Sequence, residues 1–419
     1  MIVLDHHEPK ETGELPPAIV VNPKRVEEDG SLAYLCTAGL AMLFLVGVNR
    51  RLRVTGFLGR GGVAEPDLPG LLGIVALGTV ADVVPLKGLN RAYVALGLRA
   101  MGRIPGIRAL VEATGEDEFS ARSCGFVYGP CINAGGRISD TMQGARLLTT
   151  DDPDEAREIA TRLAELNRER QRMQKEMVAD CIRRVEQANT DDAVIVTFDG
   201  DWHPGVVGLG ASKVKDHFDR PAVVIGRDGK VSGRAVEGFN IGRAFIKAQE
   251  AGLLLKGGGH AAAGGLTIDP ALLPEFREFM NEQARGIERP PTMIDLAVPV
   301  GGLPQDVVAA FELMAPFGMG NPKPRVAFTG GVLEGVRVLK GSHVKGRVVS
   351  ADGRSEVDLI LFGGVGSILG EALRAAEGHR VDVMGSVEIN AYGGVTKIQV
   401  RPEDAMIGPA VSALARAAA

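Results

Sequence analysis

The chain opens Met1-Ile2-Val3-Leu4-Asp5-His6-His7. Four apolar residues that run straight into an acid and two imidazoles read as a core strand with donors at its carboxyl end. Ligands in open α/β sheets collect beyond the carboxyl ends of the strands, and imidazole beside carboxylate suits Mn2+ or another first-row divalent ion. A polar strand terminus is the competing reading. Outward from this stretch, residues 1–150 alternate short apolar runs with helix-like stretches, which predicts a parallel sheet flanked by helices. Segment 71–86 (LLGIVALGTVADVVPL) reads as a helix leading to a turn that carries Asp82, a second carboxylate. Taken alone, that aspartate is a turn former. The apolar run 32–48 (LAYLCTAGLAMLFLVGV) sits at the lower limit of membrane-spanning length and reads as a buried helix capped by Ser31.

Residues 151–188 read as one long linking helix opened by Asp151-Asp152-Pro153. Ile159, Leu163, Leu166, Met173, Met177, Cys181 and Val185 recur on one face of it as packing surface. A second α/β unit spans 189–289, with strands at Ala193–Val196 and Ala222–Ile225. Its glycine run Gly257–Gly265 surrounds His260 and precedes an amphipathic helix at 270–286. Glycine lets backbone approach a phosphate, and amides at a helix N-terminus favour an anion; a close-packed turn is the plainer alternative. Ser232-Gly233-Arg234 and Asn133-Ala134-Gly135-Gly136-Arg137 each place an arginine in a glycine-bearing loop, where a guanidinium can grip phosphate in bidentate fashion. A surface salt bridge would use the same residues.

Arg289-Pro290-Pro291 reads as a linker. Beyond it, residues 292–408 become period-two strands with one helix near 364–376, the pattern of a small barrel of the oligonucleotide-binding type. Within 320–347 the bases Lys323, Arg325, Arg337, Lys340, Lys345 and Arg347 face a single acid, Glu334. This is a track for a phosphate backbone, or else a solvated strand face. The whole chain carries 47 Lys+Arg against 52 Asp+Glu, a net charge of −5, which excludes a polycation that holds nucleic acid by bulk charge. At 5% aromatic residues, extended base-stacking platforms are not its main tool. Cys36, Cys124, Cys131 and Cys181 form no C-x-x-C pair, so neither a zinc cluster nor a disulfide framework is predicted. No secretion leader is legible, and the expected location is cytoplasmic, with no membrane association. An alanine-rich tail occupies 413–419.

The strings VLDHHEP (3–9), NPKR (22–25), LGTVADVVPL (77–86), GPCINAGGRI (129–138), WHPGVVG (202–208), VSGR (231–234), GGGHAAAGG (257–265) and APFGMGNPKPRVAF (315–328) occur in one order along nearly the whole chain. Together they resemble the RecJ single-strand-specific 5′ exonucleases of the DHH phosphoesterase superfamily. The resemblance implies an α/β chain made of a parallel-sheet DHH domain (1–150, N-terminally incomplete), a linking helix (151–188), a DHHA1 domain (189–289) and an OB-like barrel (292–408). It implies 5′→3′ hydrolysis of single-stranded DNA by two-metal chemistry with Mn2+ or Mg2+, in DNA repair and recombination. His6 and Asp82 become metal ligands and His7 a catalytic neighbour, with Asp5 shaping the strand end. Arg137, Ser232 and Arg234 become the pocket for the 5′-terminal phosphate, and Gly258, Gly259 and His260 a phosphate-gripping loop. The implied partners are single-stranded DNA with a 5′ end, a helicase and a single-strand-binding protein, for a monomeric enzyme. Two readings from other classes compete with this one: a non-catalytic single-strand-binding remnant, and a phosphodiesterase of small oligonucleotides.

The resemblance also implies two earlier aspartate motifs, one of D-x-D type, which bring bridging and second-ion ligands. Neither occurs in this sequence, so Met1-Ile2-Val3-Leu4 reads as a cut through a catalytic sheet. Purified residues 1–419 are therefore expected to release little or no mononucleotide from a 5′-phosphorylated oligonucleotide in Mn2+. Robust release in that assay would overturn the expectation.

Overall fold

The computed structural model describes residues 1–9, 15–58, 63–392 and 394–410; the alanine-rich tail lies outside them. Two units can be separated, Met1–Glu169 with Met314–Lys323, and Arg170–Leu313 with Pro324–Ala419.

In the first unit, strand β1 (Ile2–Leu4) pairs in parallel with β2 (Ile19–Val21), so the Asp5-His6-His7 stretch emerges where the pairing ends. The other main elements among the described residues of the unit are helices: α1 (Thr37–Val54), α2 (Leu72–Ala81), α3 (Gly88–Ala100), α4 (Pro105–Thr114), the single turn α5 (Ala121–Ser123), α6 (Gly129–Ile138) and α7 (Gln143–Thr149). The expected sheet is thus limited to two short strands among the described residues, because most of the apolar runs form helices instead. The run 32–48 also departs from the reading given above. Residues 31–34 are turns, the helix starts only at Thr37 with Cys36 at its N-cap, and Ser31 does not cap it. Its second half leaves Phe44, Leu45, Val46 and Val48 exposed rather than buried.

Helix α2 is apolar on nearly every face and packs accordingly, with Val75, Ala76, Leu77 and Thr79 all buried. Its crossing with α3 depends on Gly97, whose position lies so close to Leu72 that an added Cβ would sit 2.2 Å from the Leu72 carbonyl oxygen. Asp82 closes α2, donating its N–H to the Gly78 carbonyl at 3.0 Å. Val83 then reverses the chain at φ 56°, a left-handed conformation that costs a β-branched residue about 1–3 kcal/mol. The segment 314–323 closes over this turn: Leu86 N–H donates to Met319 O at 2.6 Å, and Arg91 Nη2 to Met314 O at 2.7 Å.

Helix α8 (Pro153–Ala188) runs from one unit into the other. Leu163 and Leu166 join the first unit's core, while Met177 and Cys181 pack with Ile195, Trp202 and Val206 in the second. The second unit continues with β3 (Ile195–Phe198), α9 (Pro204–Phe218), β4 (Ala222–Ile225), β5 (Lys230–Arg234), α10 (Ile241–Glu250), β6 (Lys256–Gly259), β7 (Ala263–Thr267) and α11 (Leu273–Gln283). The sheet order is β3-β4-β5-β7-β6. Phe245 and Phe276 from α10 and α11 fill one face, and Val206, Val207 and Val214 from α9 lie in the core of the other.

After β8 (Leu296–Pro299) and α12 (Gln305–Phe311) come β9 (Arg325–Leu339), β10 (His343–Ser350), β11 (Glu356–Leu361), α13 (Ile368–Ala375), β12 (His379–Tyr392) and β13 (Val395–Ala410). The pairings β9–β10, β10–β11, β11–β13, β13–β12 and β12–β9 form a partly closed ring, with β11 and β13 parallel and one helix between the third and fourth strands. That is the oligonucleotide-binding type of barrel, built from strands longer than the period-two signal shows.

The α2–α3 crossing gives a direct test. Gly97→Ala is expected to lower stability by about 1–3 kcal/mol through overpacking. Gly47→Ala is expected to raise it by up to about 1 kcal/mol, since nothing lies within 4 Å of the added methyl on the exposed side of α1. Thermal unfolding of the two variants checks the opposite signs.

Candidate active site

Four local pieces of the first unit build one cluster. Asp5 N–H donates to Val21 O at 3.0 Å, carrying the strand geometry one residue past β1. The Asp5 carboxylate then accepts the backbone N–H of His6 at 2.8 Å and of His7 at 3.2 Å, and meets the His7 Nδ1 at 2.7 Å. Burial pushes the Asp5 carboxyl up, but these hydrogen bonds outweigh it and hold the group below its ordinary value. Turning the chain this way presents His6 Nε2 to Asp82 Oδ2, 2.9 Å away at the end of α2. The other ring nitrogen of His6 meets Thr37 Oγ1 at 2.8 Å, at the first turn of α1. Asn22, buried just after β2, donates to His7 O at 2.9 Å and accepts the Lys24 N–H at 3.0 Å.

The predicted pair His6 and Asp82 is therefore in contact, and His7 stacks beside His6 with ring centroids 4.5 Å apart. Asp5, His6 and His7 each offer a ligand atom within 4.8 Å of the others. Donor chemistry fits a first-row divalent ion: Asp5, His6 and His7 gather their ligand atoms, Asp82 meets His6, and the far nitrogen of His6 is fixed by an outer partner. Sequence reasoning missed Thr37 and Asn22. Asn22 lies in a quoted string (NPKR), but only the fold shows it tying β2 to His7.

The second unit holds the expected phosphate residues differently from the sequence reading. Ser232 and Arg234 sit in β5, paired on both sides by β4 and β7, rather than in a loop. Arg234 Nε donates to Ser212 Oγ of α9 at 3.1 Å, and its Nη1 to Gly233 O at 2.8 Å. A Cβ at Gly208, one turn before Ser212, would meet Ser232 Oγ at 3.0 Å and Arg234 Nη2 at 3.2 Å, so this glycine makes room for both side chains. His203 caps α9 by accepting the Gly205 N–H at its Nδ1, 3.0 Å away. Arg137 belongs to the first unit and lies in the last turn of α6, exposed; the NAGGR stretch is helix, not loop.

The glycine run is a β-hairpin, not a helix N-terminus. β6 and β7 flank the turn at His260, whose N–H donates to Ala263 O at 2.8 Å. Packing explains Gly259, where a Cβ would come within 2.7 Å of Gly264, but an added Cβ at the exposed Gly258 would meet nothing within 4 Å. Of the basic track, Lys323 falls in the first unit, its ammonium 5.4 Å from the Phe317 ring centroid, and so lies outside the barrel. Arg325 pairs with Glu403 at 2.8 Å, and Arg347 with Glu334 at 3.2 Å and Glu356 at 3.5 Å. Arg337, Lys340 and Lys345 have no ion-pair partner among the described residues. All four cysteines are buried, and none of them forms a disulfide. No helix among the described residues is long and apolar enough to cross a membrane.

Residues 191–286 match the DHHA1 domain family and residues 294–404 the RecJ OB domain family. The single-stranded-DNA-specific exonuclease RecJ of Bacillus subtilis is 33% identical over 424 residues, covering 97% of this chain and 51% of that protein. RecJ of Thermus thermophilus is 34% identical over 357 residues, covering 83% of this chain and 50% of that protein. The chain thus spans about half the length of these relatives. Its fold matches the crystal structure of Thermus thermophilus RecJ in complex with Mn2+ with a TM-score of 0.78 at 30% identity, covering 98% of this chain and 58% of that one. It also matches a manganese-bound exonuclease RecJ structure with a TM-score of 0.55 at 33% identity, covering 68% of this chain and 69% of that one.

Proposed function

The chain belongs to the RecJ family, and from that premise we propose that it carries part of a 5′→3′ exonuclease specific for single-stranded DNA, whose turnover residues 1–419 by themselves are expected to lack. The observation that carries this reading is the convergence of His6 and Asp82 with the His6 ring held by Thr37. His6 and Asp82 hold the ion, Mn2+ or Mg2+, which when bound supplies charge stabilisation at the phosphodiester and activation of water. Thr37 fixes the His6 ring orientation, Asp5 fixes the turn at the strand end, and His7 orients the scissile phosphate. Ser232 and Arg234, held side by side on β5, bind the 5′-terminal phosphate, which gives the reaction its polarity. Gly258, Gly259 and His260 grip a backbone phosphate, and the barrel holds the strand behind it. In this reading the domains are the DHH portion (1–150), the linking helix (151–188), DHHA1 (189–289) and the OB-like barrel (292–408). The enzyme works as a cytoplasmic monomer, beside a helicase and a single-strand-binding protein.

Mn2+ binding followed by electron paramagnetic resonance tests the centre without requiring turnover. His6→Ala and Asp82→Asn are expected to abolish tight binding, and Thr37→Val to weaken it by about tenfold. Binding unchanged by His6→Ala would remove the centre from these residues. The phosphate assignment has its own test. Arg234→Ala is expected to lower affinity for a 5′-phosphorylated single strand by about tenfold or more while sparing the 5′-hydroxyl strand. Equal losses on both ends would count against it.

A further inference from the structure

One exposed aromatic of the barrel is held in place in a way the proposed track of cations does not explain. Phe362 follows directly on β11 and is 53% exposed. The Arg401 guanidinium lies over its ring, 5.0 Å from the centroid. That guanidinium is itself fixed by Glu388, through Nε to Oε1 at 3.0 Å and Nη2 to Oε2 at 2.7 Å. The His343 ring meets Phe362 edge-on at 5.3 Å, and its Nδ1 accepts the Gly363 N–H at 3.0 Å. The exposed phenylalanines Phe44, Phe57 and Phe126 have no such ring or cation stack among the described residues. Phe362 is therefore pinned on one face and one edge while much of its surface stays in water.

Strand register places cations beside it. Val344 pairs with Leu361, which puts His343 next to Phe362 on the outer face, away from the buried Val344 and Val348. Lys345 is two residues along β10 on the same face and pairs directly with Arg337 of β9, and Lys340 lies in the turn that precedes His343. Among the described residues these three have no ion pair, whereas Arg347 and Arg401 on the same barrel are neutralised by Glu334, Glu356 and Glu388. A fixed π-face flanked by uncommitted cations matches a ligand with alternating bases and phosphates.

We propose that Phe362, backed by Arg401 and His343, is a base-stacking platform for single-stranded DNA, with Arg337, Lys340 and Lys345 taking the neighbouring phosphates. The proposal rests on the reading of the barrel as the holder of the strand and assigns it a specific surface. Stacking on an aromatic is tolerant of sequence, since every base has a π-face, so the platform grips without selecting. Because the ring is held before the strand arrives, little side-chain freedom is lost on binding.

The test is anisotropy of a labelled oligo-dT titrated with the full chain at several salt concentrations. Phe362→Ala and Phe362→Leu are expected to weaken binding on the order of tenfold with the salt slope unchanged. The double variant Arg337→Ala, Lys345→Ala is expected to reduce that slope by about one to two. Phe362→Trp is expected to keep the affinity and to add a tryptophan emission that oligo-dT quenches beyond any change at Trp202. Thermal unfolding alongside separates lost stacking from lost folding. Binding equal to the unsubstituted chain in Phe362→Ala, or loss in Phe362→Trp at unchanged stability, overturns the platform alone. No oligo-dT binding by the unsubstituted chain overturns the platform together with the strand-holding role of the barrel.

Discussion

The contact between His6 and Asp82 is what the first unit is arranged to produce. The two residues come from the end of a short strand and the end of an apolar helix, and each is useless to the other unless both ends are fixed. β1 is fixed by its register with β2 and by the Asp5 N–H on Val21 O. The helix end is fixed by burial of α2 on nearly all sides, by the Gly97 crossing and by the turn at Val83. The strained backbone at Val83 is informative, because a β-branched residue is a poor choice for a left-handed position. It ends α2 abruptly and leaves Asp82 free to face His6. Thr37 then removes the remaining freedom of the imidazole, the role outer partners have at metal-binding histidines.

A similar logic organises Arg234, by a different route. An arginine in a loop would hold its guanidinium by side-chain contacts alone. Here it projects from a central strand whose neighbours on both sides are paired, and it lies against a helix face cleared by Gly208. Ser212 and the Gly233 carbonyl use two of its five donors. A guanidinium anchored on one side this way loses less freedom when it meets an anion than a solvated one does.

Much of this is legible in the sequence alone, and the reasons are physical. Helix α8 shows a continuous 3.6-residue stripe with a capped start, and its register with two different cores follows from its length. Asp82 reads as a helix end because α2 is an uninterrupted apolar run broken at an acid. The barrel is visible as alternation in its strands. What escapes is whatever depends on partners distant in the chain. Thr37 is one threonine in an apolar run, and nothing local distinguishes it until β1 brings His6 to it. Glycine suggests loop too readily: Gly135 and Gly136 are tolerated inside α6, and the run at 257–265 forms a hairpin in which Gly259 and Gly264 leave no room for a side chain. The apolar run 32–48 reads as buried throughout, yet apolar composition alone does not say which half of a helix finds cover.

Charge shows the same limit most clearly. A count of six bases against one acid between 320 and 347 treats every cation as equal. Strand pairing makes them unequal by bringing in acids from elsewhere: Glu403 faces Arg325, and Glu334 and Glu356 face Arg347. Those pairs lie at the barrel surface, so a phosphate approaching their arginines competes with a carboxylate already in place. Lys323 belongs to a different unit altogether. The remaining cations, Arg337, Lys340 and Lys345, cluster at one hairpin of the barrel, next to the fixed ring of Phe362. Net charge is therefore a poor guide to what an acidic chain can present to an anion, because what counts is which cations the fold leaves uncommitted, not how many the sequence contains.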